Sequence, residues 1–309
     1  MIDRRRFVSL MGVAGAGLGA SGLHALTASG STVEHSLYDI SLAQWSLHRM
    51  LRGGDLDALA FPAFARRQFD IGAVEYVNVF FQDRVTDLDY LREMRSRAED
   101  AGVRSLLIMV DAEGRLGDPD AAARTEAVER HSRWVEAAAF LGCHSIRVNA
   151  ESAGSREAQR ELAADGLRRL TEFATDRGLN VIVENHGGLS SDASWLVEVI
   201  RLVDHPRCGT LPDFDNFRLA DGTSYNRYRG VRELMPFAKA VSAKSFAFDE
   251  AGDETTIDFR KMMRIVVEAG YRGFVGIEFE GSDLSEVDGV RATKSLLERI
   301  RTELEANPG

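Results

Sequence analysis

Eight short apolar runs, spread along the whole chain, constrain its fold more than any other feature. They are rich in β-branched and aromatic residues, as buried strands are. The runs lie at 40–45, 73–79, 105–111, 145–150, 180–186, 209–217, 241–248 and 274–280. Stretches with apolar residues at three- and four-residue spacing, typical of helices, cover 121–141, 157–177, 194–203 and 259–269. Eight repeats of a strand followed by a helix predict an α/β fold, a single-domain (β/α)8 barrel.

A doubly wound sheet is the main alternative to a barrel. That fold usually has fewer strands and carries a glycine-rich dinucleotide turn, yet no G-x-G-x-x-G motif follows the run at 40–45. The chain also has no Pro/Ser-rich linker that would separate two domains. Its formal net charge of −10 argues against a nucleic-acid partner, because phosphate binding needs a basic surface.

The amino terminus carries a pattern of its own. A basic segment with Arg4, Arg5 and Phe7 precedes a short, weakly apolar stretch rich in Gly and Ala, and small residues follow around Ala28. This resembles a twin-arginine export signal, and the stretch is shorter than the ~20 residues that cross a bilayer. We therefore expect a signal peptide over 1–30, a barrel domain over 31–309, passage through the twin-arginine translocase, and a periplasmic or exported protein.

Three of the predicted strands end on a carboxylate. Glu184, Asp213 and Glu278 each follow an apolar run. A single acid after a strand is often a helix cap, but the carboxyl ends of parallel barrel strands converge on one face. Three such acids together predict a site for a hard divalent cation, and we interpret them as its ligands.

The motifs at the strand ends resemble those of a known group of barrels. They are Glu184-Asn-His-Gly-Gly188, Leu211-Pro-Asp213, Lys244, and Gly-Tyr-Arg-Gly-Phe-Val-Gly-Ile-Glu over 270–278. Together they resemble the sugar phosphate isomerase/epimerase superfamily, the xylose isomerase-like barrels. The resemblance implies one divalent metal ion, commonly Mn, Mg or Co, held by a glutamate, an aspartate, a histidine and a second glutamate. Glu184, Asp213 and Glu278 match three of those positions.

The fourth metal position departs from the superfamily pattern. Ser242 stands where the superfamily usually has histidine, and Asn216 also replaces a histidine. Three carboxylates favour hard, oxygen-preferring ions over zinc. His186 or His48 as a nitrogen ligand is one open alternative. A metal-free protein is another, in which the three acids would repel one another and raise their pKa values.

The resemblance also implies a reaction. In such enzymes a proton leaves the carbon beside a carbonyl and an enediolate forms. Glu184 and Glu278 are implied to move the proton on opposite faces of the substrate, and Lys244 to stabilise the oxyanion. His48, Arg147 and His186 are implied substrate contacts. Because export separates the protein from cytoplasmic sugar phosphates, we expect an isomerase or epimerase of an unphosphorylated sugar or keto-sugar.

Two other functions fit the same residues. An enolate that expels a group at the β-carbon would make the protein a lyase that cleaves a 3-keto-glycoside. A sugar-binding barrel without catalysis is the second alternative, and the missing imidazole supports it. A homo-oligomer is also an open expectation, since barrels of this superfamily are often dimers or tetramers.

Overall fold

A computed structural model of the protein describes residues 36–307. Its strands are β1 (Asp39–Ala43), β2 (Ala73–Val77), β3 (Arg104–Met109), β4 (Ser145–Val148), β5 (Asn180–Glu184), β6 (Cys208–Leu211), β7 (Val241–Ser245) and β8 (Phe274–Phe279). All neighbouring strands pair in parallel, in the order β6-β5-β4-β3-β2-β1-β8-β7. The chain just beyond β6 meets β7 through a parallel bridge between Asp213 and Ser242, so the sheet curls round on itself. This confirms the predicted single-domain α/β barrel.

The helices surround the strands, and most of them follow a strand in the sequence. They are α1 (His48–Gly53), α2 (Phe61–Phe69), α3 (Leu88–Asp100), α4 (Ala121–Phe140), α5 (Arg156–Thr175), α6 (Ala193–Val203), α7 (Arg227–Leu234), α8 (Phe259–Glu268) and α9 (Glu286–Ala306). Polar side chains cap the first turns of α3 to α9, as Asp120 does for α4 and Ser155 for α5. After α4, Gly142 adopts a φ of 78°, which permits the turn into β4.

The largest difference from the sequence prediction concerns the sixth strand. We predicted it over 209–217, but β6 ends at Leu211. Pro212 has no N–H to continue a ladder. Asp213 then accepts hydrogen bonds at Oδ1 from the backbone N–H groups of Asp215 and Asn216, both at 2.8 Å. These bonds turn the chain, so Asp213 lies in a tight turn rather than within a strand.

The interior of the barrel holds two kinds of side chain. One buried cluster is apolar and consists of Ala43, Val77, Leu107, Met109, Ile182, Leu211 and Ala240. Other buried strand residues carry charges, such as Arg147, Glu184, Lys244 and Glu278. Glu184 closes β5 and Glu278 lies near the end of β8, so buried charges meet at the carboxyl end of the barrel, where barrel enzymes build their sites.

No helix in the part of the chain from residue 36 to residue 307 has the length and apolar character needed to cross a membrane. The predicted twin-arginine signal, residues 1–30, lies outside the described residues.

Candidate functional site

Three acids from three strands meet at the carboxyl end of the barrel. Glu184 closes β5, Glu278 lies in β8, and Asp213 follows β6 by two residues. Each offers a carboxylate oxygen, and these oxygens lie within 4.8 Å of one another. All three side chains are buried. The structure thus brings together the residues that we predicted as metal ligands.

Asp213 is held from several sides. Its backbone N–H donates to Asn185 Oδ1 at 2.8 Å, and Asn185 Nδ2 donates to the backbone oxygen of Asp213 at 3.1 Å. The Ser242 hydroxyl lies 2.9 Å from Asp213 Oδ2 and 3.1 Å from Glu278 Oε2. A hydroxyl has one hydrogen, so Ser242 donates to one of the two acids at a time. Ser242 therefore joins two of the acids at the position where the sequence resemblance led us to expect a histidine.

Glu184 lies between an amide and a guanidinium. Asn216 Nδ2 donates to Glu184 Oε1 at 2.9 Å. Arg147 Nε lies 2.8 Å from Glu184 Oε2 and forms an ion pair with it, but the N–H is not aligned for a hydrogen bond. Glu184 Oε2 is consequently a buried oxygen that accepts no hydrogen bond from residues 36–307, so it is available to a further ligand.

Lys244 places its ammonium group among the acids. Its Nζ lies 3.2 Å from Glu278 Oε1, 3.5 Å from Glu280 Oε1 and 3.7 Å from Asp213 Oδ2. The same nitrogen donates to Asn216 Oδ1 at 3.3 Å. This buried cation offsets part of the negative charge that the carboxylates concentrate here.

Burial and neighbouring charges separate the pKa values of these groups. Burial raises the pKa of Glu184 to about 8 and that of Asp213 to about 6. Burial acts on Glu278 in the same direction, but the Lys244 and Arg147 charges outweigh it and lower the pKa of Glu278. Burial opposes the charge on Lys244, yet Asp213 and Glu278 hold the pKa of Lys244 well above its usual value. Burial thus favours the neutral form of Glu184, whereas the Lys244 and Arg147 charges favour the ionised form of Glu278.

The donor set fits a divalent ion that prefers oxygen. Glu184, Asp213 and Glu278 supply three carboxylates, and Glu184 Oε2 has no aligned hydrogen bond. Carboxylate and hydroxyl oxygens are the ligands that Mg²⁺ and Mn²⁺ take in proteins. Among the described residues, no histidine joins this group of possible ligands.

A cavity of about 340 Å³ lies beside the acids, and Glu278 lines it. Its apolar side consists of residues at the ends of β1, β2 and β3, which are neighbours in the sheet: Trp45, Val77, Val79 and Met109. Its polar side consists mainly of residues at the ends of β4, β5 and β8, together with Asp111: Arg147, Asn149, Glu151, His186, Glu278 and Glu280. Volume and lining are those of a small-molecule site.

Arg147 connects the cavity to the acids. Its Nη1 donates to Asp111 Oδ1 at 2.6 Å, and Asn149 Nδ2 donates to the same oxygen at 2.7 Å. Burial alone would raise the pKa of Asp111, but Arg147 and these hydrogen bonds lower it. Arg147 is therefore fixed between Asp111 and Glu184, and it faces the cavity where we predicted a substrate contact.

The two histidines predicted as substrate contacts occupy different places. His186 lines the cavity, and partial burial there, together with the Arg147 charge, lowers the pKa of its ring to about 4. His48 begins α1 and stacks on Trp45 with ring centroids 5.0 Å apart. Its Nδ1 lies 2.8 Å from the Trp45 backbone oxygen. The His48 ring is not part of the cavity lining, so the structure does not bring it to the predicted place.

Trp45 and Glu280 form a contact that we did not predict from the sequence. Trp45 Nε1 donates to Glu280 Oε1 at 2.6 Å, and both residues line the cavity. We predicted Trp45 within the first strand, whereas it lies in a short 3₁₀ turn, Gln44–Leu47, after β1. The sequence did contain a pattern that points to Glu280 as a site residue, because two-residue alternation places it on the same side of β8 as Glu278.

Comparison with known proteins gives short sequence matches and extensive structural ones. A segment of 49 residues is 41% identical to the C-glycoside deglycosidase alpha subunit of Arthrobacter globiformis, and it covers 16% of this chain and 13% of that protein. The matches to curated relatives span less than a quarter of the relatives' length.

Two solved structures are similar over most of the chain. A xylose isomerase-like TIM barrel protein from Mycobacterium smegmatis, in complex with magnesium, is 18% identical, with a TM-score of 0.66 over 86% of this chain and 98% of that one. The 3-keto-D-glucoside 4-epimerase of E. coli is 16% identical, with a TM-score of 0.64 over 79% and 94%. The family model of the xylose isomerase-like TIM barrel matches residues 66–302. The chain therefore belongs to the xylose isomerase-like TIM barrel family.

Proposed function

We propose that the protein is a divalent-metal-dependent isomerase or epimerase of an unphosphorylated sugar or keto-sugar. In this reaction a proton leaves and returns at the carbon beside a carbonyl. The observation that carries the proposal is the cluster of three buried carboxylates, within 4.8 Å of one another, with the Lys244 ammonium beside Glu278. Solved neighbours that are sugar epimerases support the same class of reaction.

Glu184, Asp213 and Glu278 would hold the ion. When bound, it would polarise the carbonyl and the adjacent hydroxyl of the substrate and so acidify the proton between them. The all-oxygen donor set favours Mn, Mg or Co, and a family neighbour in complex with magnesium supports this choice.

Glu278 and Glu184 suit the two halves of a proton transfer. The Lys244 and Arg147 charges keep Glu278 ionised, so it can accept the proton from carbon. Glu184 belongs to a different strand, so it would return the proton from the other side of the substrate. Lys244 Nζ, 3.2 Å from Glu278 Oε1, is close enough to the base to stabilise the negative charge that develops on the substrate oxygen.

The polar side of the cavity would bind the sugar. Asp111, Arg147, Asn149 and His186 offer acceptors and donors there for hydroxyl groups. Glu151 is exposed, lines the same side, and makes no side-chain hydrogen bond or ion pair within residues 36–307. These side chains would orient the substrate carbonyl toward the acids.

A lyase is the second candidate, and one observation favours it. The curated relatives with matching segments are alpha subunits of deglycosidases. The first step is the same proton abstraction. The electron pair left on carbon then forms a double bond while the bond between the anomeric carbon and the aglycone breaks, and the aglycone departs with that electron pair and takes up a proton.

We also propose export through the twin-arginine translocase to the periplasm or cell exterior. Fractionation of host cells that make either the full chain or a chain without residues 1–30 tests this location. Export requires that only the full chain leaves the cytoplasm, and identical fractionation of the two chains would contradict it.

Metal content and proton exchange together test the reaction. The full chain, Glu184→Gln, Asp213→Asn and the surface control Glu172→Gln are purified and their bound metals measured. Each is then incubated with keto-sugars and keto-glycosides in D₂O while NMR follows exchange of the α-proton. We expect metal and exchange in the full chain and the control, and loss of both in the two site variants. Substrate binding without exchange would instead support a sugar-binding barrel.

A further inference from the structure

We propose that the apolar side of the cavity receives an apolar ring attached to the sugar, so that the substrate is a glycoside with an apolar aglycone rather than a free sugar. This inference rests on the proposed function, since it assumes that the sugar itself binds on the polar side. It concerns the apolar wall, which we define as Trp45, Val77, Val79 and Met109.

The cavity is chemically divided. The apolar wall comes from the ends of the neighbouring strands β1, β2 and β3, whereas most of the charged and amide side chains come from the ends of β4, β5 and β8. A free sugar carries hydroxyl groups around its ring and has little apolar surface to cover such a wall. A glycoside with an apolar ring has both kinds of surface, and burial of the ring against the wall removes apolar area from water.

The exposure of Val79 shows that no other part of the described chain packs over this part of the apolar wall. Val79 is 36% exposed. Within residues 36–307 only two other large hydrophobic residues, Leu88 and Leu202, are also exposed. Val79 alone of the three lines the cavity. Its neighbour Asn78 is bonded to the backbone of Asp111 in both directions, at 2.9 and 3.0 Å. The turn that carries Val79 is therefore fixed, with an apolar side chain held at the cavity rim.

Trp45 is equally well held. Its Nε1 donates to Glu280, His48 stacks on its ring, and the Phe80 ring lies 6.1 Å away at a tilt of 41°. A side chain restrained by three neighbours loses little conformational entropy when a ligand binds. The rigid indole thus forms a preformed edge of the wall.

Arg52 covers the Trp45 ring on the solvent side. Its guanidinium carbon lies 4.8 Å from the ring centroid, and the residue is exposed and lines the cavity. Arg52 makes no ion pair or side-chain hydrogen bond with the rest of the described chain. A long side chain with so few restraints can move to let an apolar ring approach the wall.

The wall is continuous with the acids. Glu280 accepts from Trp45 at 2.6 Å and lies 3.5 Å from Lys244 Nζ, which is 3.2 Å from Glu278. A group bonded to a sugar at the acids would extend along this path onto the wall. The substituent next to the reacting carbons would therefore be the group that contacts the apolar wall.

Binding of matched ligands tests the proposal. The ligands are 4-nitrophenyl 3-keto-glucoside, methyl 3-keto-glucoside and free 3-keto-glucose. Calorimetry with the full chain, loaded with Mn²⁺, gives their dissociation constants for wild type, Val79→Thr and the control Leu202→Thr. Val→Thr keeps the shape of the side chain and changes its polarity, and Leu202 is exposed on α6, away from the cavity.

We expect wild type to bind the nitrophenyl glycoside about tenfold more tightly than the methyl glycoside, with a more negative heat-capacity change. Val79→Thr should reduce that preference by about threefold or more and leave methyl glycoside affinity unchanged, while Leu202→Thr changes neither. Equal affinity for both glycosides, or equal weakening of both by Val79→Thr, overturns the aglycone assignment and leaves the proposed function standing. Failure of all three ligands to bind overturns the proposed function as well.

Discussion

Lys244 Nζ lies 3.2 Å from Glu278 Oε1, and both side chains are buried at the carboxyl end of the barrel. The pair brings a cation from β7 against an acid from β8, where their Cα atoms are direct partners in the sheet. Because the ammonium favours the ionised acid, Glu278 stays a carboxylate despite its burial. This relationship favours the ionised form of Glu278, which the proposed role as a base requires.

Replacement of Lys244 by methionine should reduce turnover and shift its pH dependence. Loss of the ammonium removes the charge that lowers the pKa of Glu278, so the acidic limb of the kcat/KM profile should move to higher pH. We expect kcat to fall by about 100-fold or more, as for other losses of a charge-stabilising group. The pH profile of the variant is compared with that of Lys294→Met, which removes a surface lysine paired with Glu298. An unchanged acidic limb in Lys244→Met would contradict this assignment.

Affinity for a divalent ion should rise with pH. Without a bound metal ion, the pKa of Glu184 is about 8 and that of Asp213 is about 6. Each acid must therefore lose its proton before it binds metal. The dissociation constant for Mn²⁺ should therefore fall between pH 6 and pH 8. Calorimetry in two buffers of different ionisation enthalpy measures both the constant and the protons released. Binding that releases no protons across this range would refute the prediction.

Ser242→His should change metal preference. An imidazole at this position would supply the nitrogen that the sequence resemblance led us to expect, and nitrogen ligands favour zinc more than they favour magnesium. We expect the ratio of Zn²⁺ to Mg²⁺ affinity to rise by about tenfold or more. Ser242→Ala serves as the control, because it removes the hydrogen bond to Asp213 or Glu278 without adding a ligand. If the histidine variant shows the same ratio as the alanine variant, Ser242 does not occupy a ligand position.

Glu75 should make the protein less stable as pH rises. This β2 residue is buried inside the barrel, where Ser41 Oγ donates to its Oε1 at 2.6 Å and its Oε2 has no partner. Burial raises its pKa to about 7 from 4.5. Because the folded pKa exceeds the unfolded one, its contribution to stability is complete below pH 4.5 and is lost as pH rises through about 7.

A shift of this size corresponds to about 3 kcal/mol of unfolding free energy between pH 4 and pH 8. Glu75→Gln keeps the shape without the charge, so the stability of the variant should lose that part of its pH dependence and exceed that of wild type at pH 8. Urea unfolding of both proteins at several pH values measures the difference. Parallel stability curves for the two proteins would show that Glu75 does not ionise within the folded barrel.

Local sequence patterns predicted the positions of the strands and helices of this protein. The apolar runs at 73–79 and 145–150 begin where β2 and β4 begin, and the helix predicted over 194–203 matches α6 to within one residue. Burial imposes a period of two on strands and 3.6 on helices, so these elements can be found without knowledge of their neighbours. The same reasoning led to Glu184, Asp213 and Glu278, because residues at the ends of parallel strands share one face.

Contacts between strands were decided by the tertiary structure alone. The sequence does not reveal that Ser242 joins Asp213 to Glu278, or that Arg147 lies between Asp111 and Glu184. His48 follows β1 in the sequence, yet the chain turns into α1 at this residue. The His48 ring therefore stacks on Trp45 instead of lining the cavity. Such contacts depend on which strands are neighbours and on where each side chain points, and these are set by closure of the whole barrel. Periodicity therefore predicted the strands and the acids at their ends, and packing decided which residues line the site and what each one touches there.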